Sequence, residues 1–157
     1  MDYLTHEKFK ALSTNDYWKN GQYRWDYMSK AIELMQEIDP VRVCEAGTSG
    51  IPLCSDSVLL EYPYYDLNFA NYPFDSKHFD VFVALQVWEH LKKPAEAFAE
   101  ARRISKNVIL SIPYQWKQGD AQHVGLDDST VLGWTRGEEP CKTIHICRRK
   151  IYLWRCE

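Results

Sequence analysis

The chain has 157 residues, of which 45% are hydrophobic and 26% are charged. This length allows one domain with a substantial core and is too short for two complete ones. We therefore predict a single domain over residues 1–157, in which residues 1–22 form a helical extension. The net charge of -3 excludes the global positive field that draws a protein to nucleic acid, so no nucleic-acid partner is expected.

Targeting signals and disulfides are not indicated by the sequence. No apolar run reaches the length of a membrane span, and residues 1–8 are too polar for a signal peptide. The five cysteines include no Cys-x-x-Cys pair, which argues against a disulfide framework and against a zinc ribbon. We expect a cytoplasmic protein with reduced thiols and no membrane partner, and we expect the basic residues 148–150 to form a solvated turn.

One set of residues offers itself as metal ligands. Cys141, His145 and Cys147 would share a face of a strand, because side chains alternate along a strand. Two of the three are neighbours on that face and no fourth ligand is evident in the sequence. We prefer a half-buried strand here and predict no metal site.

The order of apolar patterns is typical of an α/β domain. Apolar residues at helical spacing predict a helix from Tyr23 to Ile38, which ends at Asp39 because Pro40 follows. The same kinds of pattern predict further elements. These are buried strands over residues 41–45, 79–83 and 108–112, a helix over 94–105, a helix over 127–132 capped by Asp127, and a hairpin of 143–147 with 151–156.

Residues 43–50 combine a strand end, an acid and glycines in the sequence Val-Cys-Glu-Ala-Gly-Thr-Ser-Gly. Gly47 and Gly50 permit a tight loop whose backbone a ligand can approach closely. Taken alone, the segment is equally compatible with a plain strand-to-turn transition.

Residues 72–91 give a more specific pattern. They read Tyr-Pro-Phe, a polar turn, Phe-Asp, an apolar strand and a final Glu-His-Leu. Together with residues 43–50 and with the helix and strand of residues 100–114, this run resembles the class I S-adenosylmethionine-dependent methyltransferases. The resemblance extends from about Tyr23 to the end of the chain and implies a Rossmann-like fold that binds S-adenosylmethionine.

The resemblance also implies roles for individual residues. Glu45 would balance the amino group of the cofactor, and Glu61 would bind its ribose hydroxyls. The remaining cofactor-binding candidates are Gly47 and Gly50 in the loop, Asp66 on the adenine side, and Leu85 and Gln86 below the sulfonium. His90 and His123 are the candidate general bases, although a structural role stays open for each.

The interval between Gly50 and Phe79 departs from the family pattern. One βαβ unit needs about 30 residues, so this interval cannot hold the two strands and two helices of the complete fold. We expect one short strand at residues 58–62, the start of another before Asp66, and no long helix before Glu61. The predicted fold is a mainly parallel sheet with helices on both faces, reduced at one edge, with a C-terminal antiparallel hairpin.

The implied function is methyl transfer from S-adenosylmethionine to a small-molecule substrate that the sequence does not identify. An alternative is a degenerate methyltransferase fold that binds a nucleoside or a protein without catalysis, which the shortened front half favours. An NAD-linked oxidoreductase is a third interpretation, but a third glycine after Gly47 and Gly50 is missing.

Overall fold

A computed structural model describes residues 1–155 of the chain. The strands in this part are β1 (Val43–Ala46), β2 (Val58–Leu60), β3 (Phe79–Leu85), β4 (Ser105–Pro113), β5 (Lys142–Ile146) and β6 (Arg149–Arg155). They form one sheet in the order β2-β1-β3-β4-β6-β5. The first four are parallel to one another, whereas β6 is antiparallel to both β4 and β5. The mainly parallel sheet and its C-terminal antiparallel hairpin are confirmed; Cys156 of the predicted hairpin lies outside the described residues.

Helices cover both faces of the sheet, as predicted. They are α1 (His6–Leu12), α2 (Asp16–Lys19), α3 (Trp25–Ile38), α4 (Pro94–Ile104) and α5 (Asp128–Trp134). One apolar cluster joins α1, α2 and α3 to one face, and a second joins α4 and α5 to the other. In β3, Val81 and Val83 belong to the first cluster, while Phe82 and Ala84 belong to the second. Because both faces are buried, the strand is apolar throughout rather than alternating.

The boundaries of the predicted helices are nearly correct. The helix predicted from Tyr23 begins at Trp25, after a 3-10 turn at Gln22–Arg24. It ends at Asp39, which adopts a left-handed φ of 53° before Pro40. Asp127 caps α5 as predicted, since its side chain accepts a hydrogen bond from the Thr130 amide.

The edge of the sheet beyond β2 is reduced, but the predicted start of a further strand before Asp66 is wrong. Residues 61–78 form turns and bends instead. The amide of buried Tyr72 donates to Glu100 Oε2 in α4 at 2.7 Å, and the Tyr72 hydroxyl donates to the Leu67 carbonyl at 2.9 Å. Side-chain contacts with α4 therefore hold this segment, rather than the hydrogen bonds of a sheet.

The segment after the loop of residues 47–50, which we call the glycine loop, contains no helix. This agrees with the short interval between Gly50 and Phe79. Residues 50–57 consist of turns, bends and a bridge at Cys54. The N-terminal residues hold this segment in place: the Leu4 amide donates to the Leu53 carbonyl at 2.8 Å, and the Ser55 amide donates to the Asp2 carbonyl at 3.1 Å. The N-terminal extension thus supports the loop region where the complete fold would have a helix.

The solvated turn predicted at residues 148–150 is wrong for Arg149 and Lys150, which both belong to β6. Lys150 pairs with Asp128 at 2.8 Å. Arg149 is buried. Its guanidinium lies 5.0 Å from the ring centroids of Tyr23 and Trp116 and 5.2 Å from that of Tyr27. Aromatic rings replace water around this charge, because a guanidinium is weakly hydrated and stacks on ring faces. Within residues 1–155, no helix has the length and apolarity needed to cross a membrane.

Asp80 connects the start of β1 with β3 and β4. Its Oδ2 accepts hydrogen bonds from the Val41 and Arg42 amides, each at 2.9 Å, and its Oδ1 lies 2.8 Å from Lys106 Nζ. Burial raises the pKa of Asp80, but the hydrogen bonds from Lys106 and from the two amides outweigh burial and lower the pKa to about 2.

We expect Asp80→Asn to reduce the free energy of unfolding by about 1–2 kcal/mol near neutral pH, because an amide nitrogen cannot accept these bonds. The folded-state pKa is depressed, so the contribution is present above the ordinary value of 3.8 and is lost as the pH falls through about 2. Urea denaturation of both proteins at several pH values measures this difference. A difference that stays constant down to the lowest pH would contradict this account.

Candidate functional site

The carboxyl ends of β1, β2 and β3 open onto two adjoining cavities. The smaller encloses about 70 Å³ and the larger about 670 Å³. Four residues line both cavities: Tyr17, Gly47, Ser49 and Gln86. Open parallel sheets form ligand crevices at this position, and the larger cavity has the size of a small-molecule site. We call the two cavities together the groove.

Gly47 lines both cavities of the groove. Its φ is +67°, and a Cβ added there would lie 2.4 Å from Val87 Cγ2. Gly50 also has a positive φ, of +89°, but open space surrounds it. Gly47 is therefore required by both backbone conformation and close packing, whereas conformation alone favours glycine at position 50.

Glu45 lines the smaller cavity and is buried. Its Oε2 accepts from the Leu53 amide at 2.8 Å, and its Oε1 accepts from the Cys54 amide at 3.0 Å and from Ser57 Oγ at 2.7 Å. Burial raises the pKa of Glu45, and these hydrogen bonds only partly oppose that shift. The carboxylate fixes the segment that replaces the missing helix, a role that the sequence did not reveal.

Glu61 directly follows β2 and contacts the glycine loop. Its Oε1 accepts from the Thr48 amide at 2.8 Å and also from the Thr48 hydroxyl. Both bonds use the same oxygen, so Oε2 lies outside this contact. Glu61 is thus placed beside the loop as a ribose-binding residue would be, and its role in binding stays a prediction.

The other predicted cofactor contacts also surround the groove. Asp66 lines the larger cavity, and its Oδ1 accepts from both the amide and the side chain of Asn68 at 2.9 Å. Leu85 lines the smaller cavity. Gln86 has a φ of 58°, and its Nε2 donates to Ser111 Oγ at 3.0 Å. The predicted cofactor residues thus lie together: Glu61 contacts the glycine loop, Gly50 belongs to that loop without lining either cavity, and the others line the groove.

Several groove residues come from the N-terminal part of the chain. Tyr17, Trp18, Tyr27 and Met28 line the smaller cavity. Trp18 Nε1 donates to the Ser49 carbonyl at 2.9 Å, which connects α2 to the glycine loop. The aromatic content of this region was the one available sequence signal, but it did not separate groove lining from core packing.

The two candidate bases lie against each other at the mouth of the groove. His90 Nε2 and His123 Nε2 are 3.3 Å apart, and His90 lines the larger cavity. Burial and the neighbouring His123 lower the pKa of His90. His90 ends a 3-10 turn, Trp88–His90, that follows β3.

Glu89 lies in the same turn and was not singled out in the sequence. Its side chain is 1% exposed, and neither carboxylate oxygen has a hydrogen-bond partner among residues 1–155. Burial raises the pKa of Glu89 to about 7, and the backbone amide of Glu89 itself and then the charge of Arg149 offset this shift only in part. A buried carboxylate without hydrogen bonds is costly, so this position is conspicuous.

The cysteines and histidine near the C-terminus that the sequence offered as metal ligands contact other groups instead. Cys141 Sγ lies 3.3 Å from the Leu153 carbonyl, Cys147 Sγ lies 3.5 Å from Asp26 Oδ2, and the His145 ring packs against Tyr114. In the described part of the chain, Glu89, His90 and His123 form the group of three potential ligand side chains whose ligand atoms lie within 4.8 Å of one another.

Comparisons with known proteins identify the architecture. Residues 50–110 match the family model described as a methyltransferase domain. A SAM-dependent methyltransferase from Aquifex aeolicus superposes with a TM-score of 0.58 at 10% identity, over 96% of this chain and 97% of that chain. The methyltransferase domain of bacterial CtHen1-CN gives 0.58 at 11% identity, over 84% and 98%. The N-terminal domain of EvdMO1, crystallised with SAH and D-fucose, gives 0.54 at 13% identity, over 84% and 83%.

At these identities, the likeness to the solved structures concerns the fold. A comparison with curated protein sequences gave no match. The chain is therefore similar, in fold and through residues 50–110 in sequence, to the class I S-adenosylmethionine-dependent methyltransferases, and it is a small representative of that fold with a reduced sheet edge.

Proposed function

We propose that the chain binds S-adenosylmethionine in the groove and transfers its methyl group to a small-molecule acceptor. The observation that carries this proposal is the continuity of the groove. It runs from the end of β2, past the glycine loop, to the turn after β3, and it reaches buried Glu45 at its inner end. A solved structural neighbour crystallised with SAH supports the same cofactor.

Glu45 supports the orientation of the cofactor. No salt bridge within residues 1–155 involves this buried carboxylate. A cationic ligand group beside it would therefore be favoured, because it would offset the cost of the buried charge. The amino group of the methionine moiety is such a cation, which orients the adenosine toward the larger cavity, Asp66 and Glu61.

Methyl transfer from a sulfonium requires mainly that the donor and the acceptor be held in line and away from water. Gln86, fixed by Ser111, lies between the two cavities where the sulfonium would be. His90 lies farther along the groove and would accept a proton from an acceptor hydroxyl, with His123 beside it. The four unpaired cysteines of the described residues favour a reducing compartment, and we place the reaction in the cytoplasm.

Calorimetric titration with S-adenosylhomocysteine tests the cofactor site. Ser49 lines both cavities at an exposed position of the loop. We expect Ser49→Arg to weaken binding at least tenfold, because the longer side chain would occupy the groove while the Ser49 carbonyl can still accept from Trp18. The matched control is Ser76→Arg in the exposed turn before β3, which should bind like the parent.

A second measurement separates catalysis from binding alone. The protein is incubated with S-adenosylmethionine and a panel of small hydroxyl, carboxyl and amine compounds, and formation of S-adenosylhomocysteine is followed. Turnover with one class of acceptor supports the enzyme. Cofactor binding without turnover on any acceptor would favour the noncatalytic binding module, and the absence of binding would overturn the proposed function.

A further inference from the structure

Glu89 is a buried carboxylate that the fold leaves without hydrogen bonds. Its side chain is 1% exposed, and both oxygens lack a partner among the described residues. Buried carboxylates in proteins are normally paired, hydrogen-bonded or bound to a metal ion. His90 Nε2 lies 3.9 Å from Glu89 Oε1, which is beyond hydrogen-bond distance.

Two imidazoles converge in front of this carboxylate. His90 Nε2 and His123 Nε2 are 3.3 Å apart although the residues are 33 positions apart in sequence. One ligand atom from each of Glu89, His90 and His123 lies within 4.8 Å of the others. Ligands about 2.1 Å from a tetrahedral ion are about 3.4 Å apart, so the imidazole spacing already has the required size and the carboxylate must approach by about 1 Å.

Asp120 and Trp116 are neighbours of the His123 ring, the exposed Asp120 carboxylate lying beyond hydrogen-bond distance. His123 Nδ1 lies 3.9 Å from Asp120 Oδ2, on the ring side opposite to His90. Metal-bound histidines commonly direct the second ring nitrogen to a carboxylate. Trp116 packs against the same ring, and a backbone hydrogen bond from the Gly125 amide to the Trp116 carbonyl holds the loop.

We propose that Glu89, His90 and His123 form a binding site for a divalent transition-metal ion of the Zn²⁺ type. Two imidazoles and one carboxylate are a ligand set for such ions, whereas Mg²⁺ and Ca²⁺ prefer oxygen ligands throughout. Three protein ligands leave coordination positions free, and His90 places the ion at the larger cavity. The proposal departs from the expectation of no metal site and does not depend on the cofactor. His90 Nε2 would bind the ion, so the proton-accepting role proposed above for His90 applies to the metal-free protein.

Titration with Zn²⁺ and Co²⁺, without cofactor, tests the site. Cysteine thiolates are ligands for these ions, so every protein carries Cys141→Ser and Cys147→Ser at the two exposed cysteines of the described residues, and Cys156→Ser as well. Zn²⁺ binding is followed by calorimetry, and Co²⁺ binding by its visible absorption. We expect one equivalent to bind, Glu89→Gln to weaken binding at least tenfold and His123→Gln at least a hundredfold. Mg²⁺ should compete poorly.

Matched controls distinguish this site from adventitious binding. His145→Gln and Glu139→Gln make the same two changes at exposed positions elsewhere and should leave the affinity unchanged. The ion should also raise the melting temperature of the parent but not that of His123→Gln. Absence of binding in the parent, or equal affinity in the site and control variants, would overturn the proposal whether or not S-adenosylhomocysteine binds.

Discussion

Glu45→Ala is expected to lower the free energy of unfolding by about 3–5 kcal/mol, which is a large part of the stability of a domain of this size. The substitution leaves the amides of Leu53 and Cys54 without their acceptor, whereas the Ser57 hydroxyl can still donate to the Cys54 carbonyl at 2.9 Å. Each buried donor without a partner costs about 1–3 kcal/mol. These bonds hold the segment after the glycine loop, so its attachment to the N-terminal residues should loosen as well.

Urea denaturation measures this effect, and Glu139→Ala is the matched control because Glu139 is exposed. The control should change stability by less than about 0.5 kcal/mol. The stability loss in Glu45→Gln should fall between these two values. The glutamine side chain keeps one acceptor oxygen but directs its NH2 donor toward one of the two backbone amides. A loss below about 1 kcal/mol in Glu45→Ala would show that solvent or a rearranged loop satisfies these donors.

The structural role of Glu45 changes how cofactor measurements are interpreted. A Glu45→Ala protein that fails to bind S-adenosylhomocysteine does not by itself demonstrate a direct contact, because the segment after the glycine loop would also lose its support. Ser49→Arg leaves the Glu45 hydrogen bonds unchanged and is therefore the sharper probe of the groove. The binding role that the sequence assigns to Glu45 stays a prediction beside the structural role.

Regular patterns made the framework of this fold predictable. Apolar residues recur at helical spacing before Asp39, and β3 is a continuous apolar run because both of its faces are buried. Each pattern reflects a local geometry that repeats along the chain. The glycine loop could be placed because Gly47 follows a strand directly. Such signals need no knowledge of distant contacts.

The missed features depend on contacts between irregular segments. Glu45 meets Leu53 only because residues 50–57 fold back over β1 without a helix, and no periodicity indicates that path. Glu89 belongs to a 3-10 turn, and its burial there follows no repeating pattern of apolar residues. His123 reaches His90 through a loop, so their pairing could not be derived from sequence separation.

Gly47→Ala is expected to destabilise the protein by about 2–5 kcal/mol and to weaken S-adenosylhomocysteine binding at least tenfold. A left-handed backbone costs a residue with a Cβ about 1–2 kcal/mol, and the φ of Gly47 is +67°. The added Cβ would also lie 2.4 Å from Val87 Cγ2, and such overpacking costs about 1–3 kcal/mol. Chemical denaturation and calorimetric titration measure the two effects.

The double variant Gly47→Ala/Val87→Ala separates the two causes. Removing Val87 Cγ2 relieves the collision but leaves the backbone strain, so the two substitutions should be less than additive by about 1–3 kcal/mol. Gly50→Ala is the control for strain alone, because its φ is +89° and a Cβ there meets nothing within 4 Å. The losses of stability in Gly47→Ala and Val87→Ala could instead simply add. Contact with Val87 would then not restrict the residue at position 47, and backbone strain alone would require the glycine.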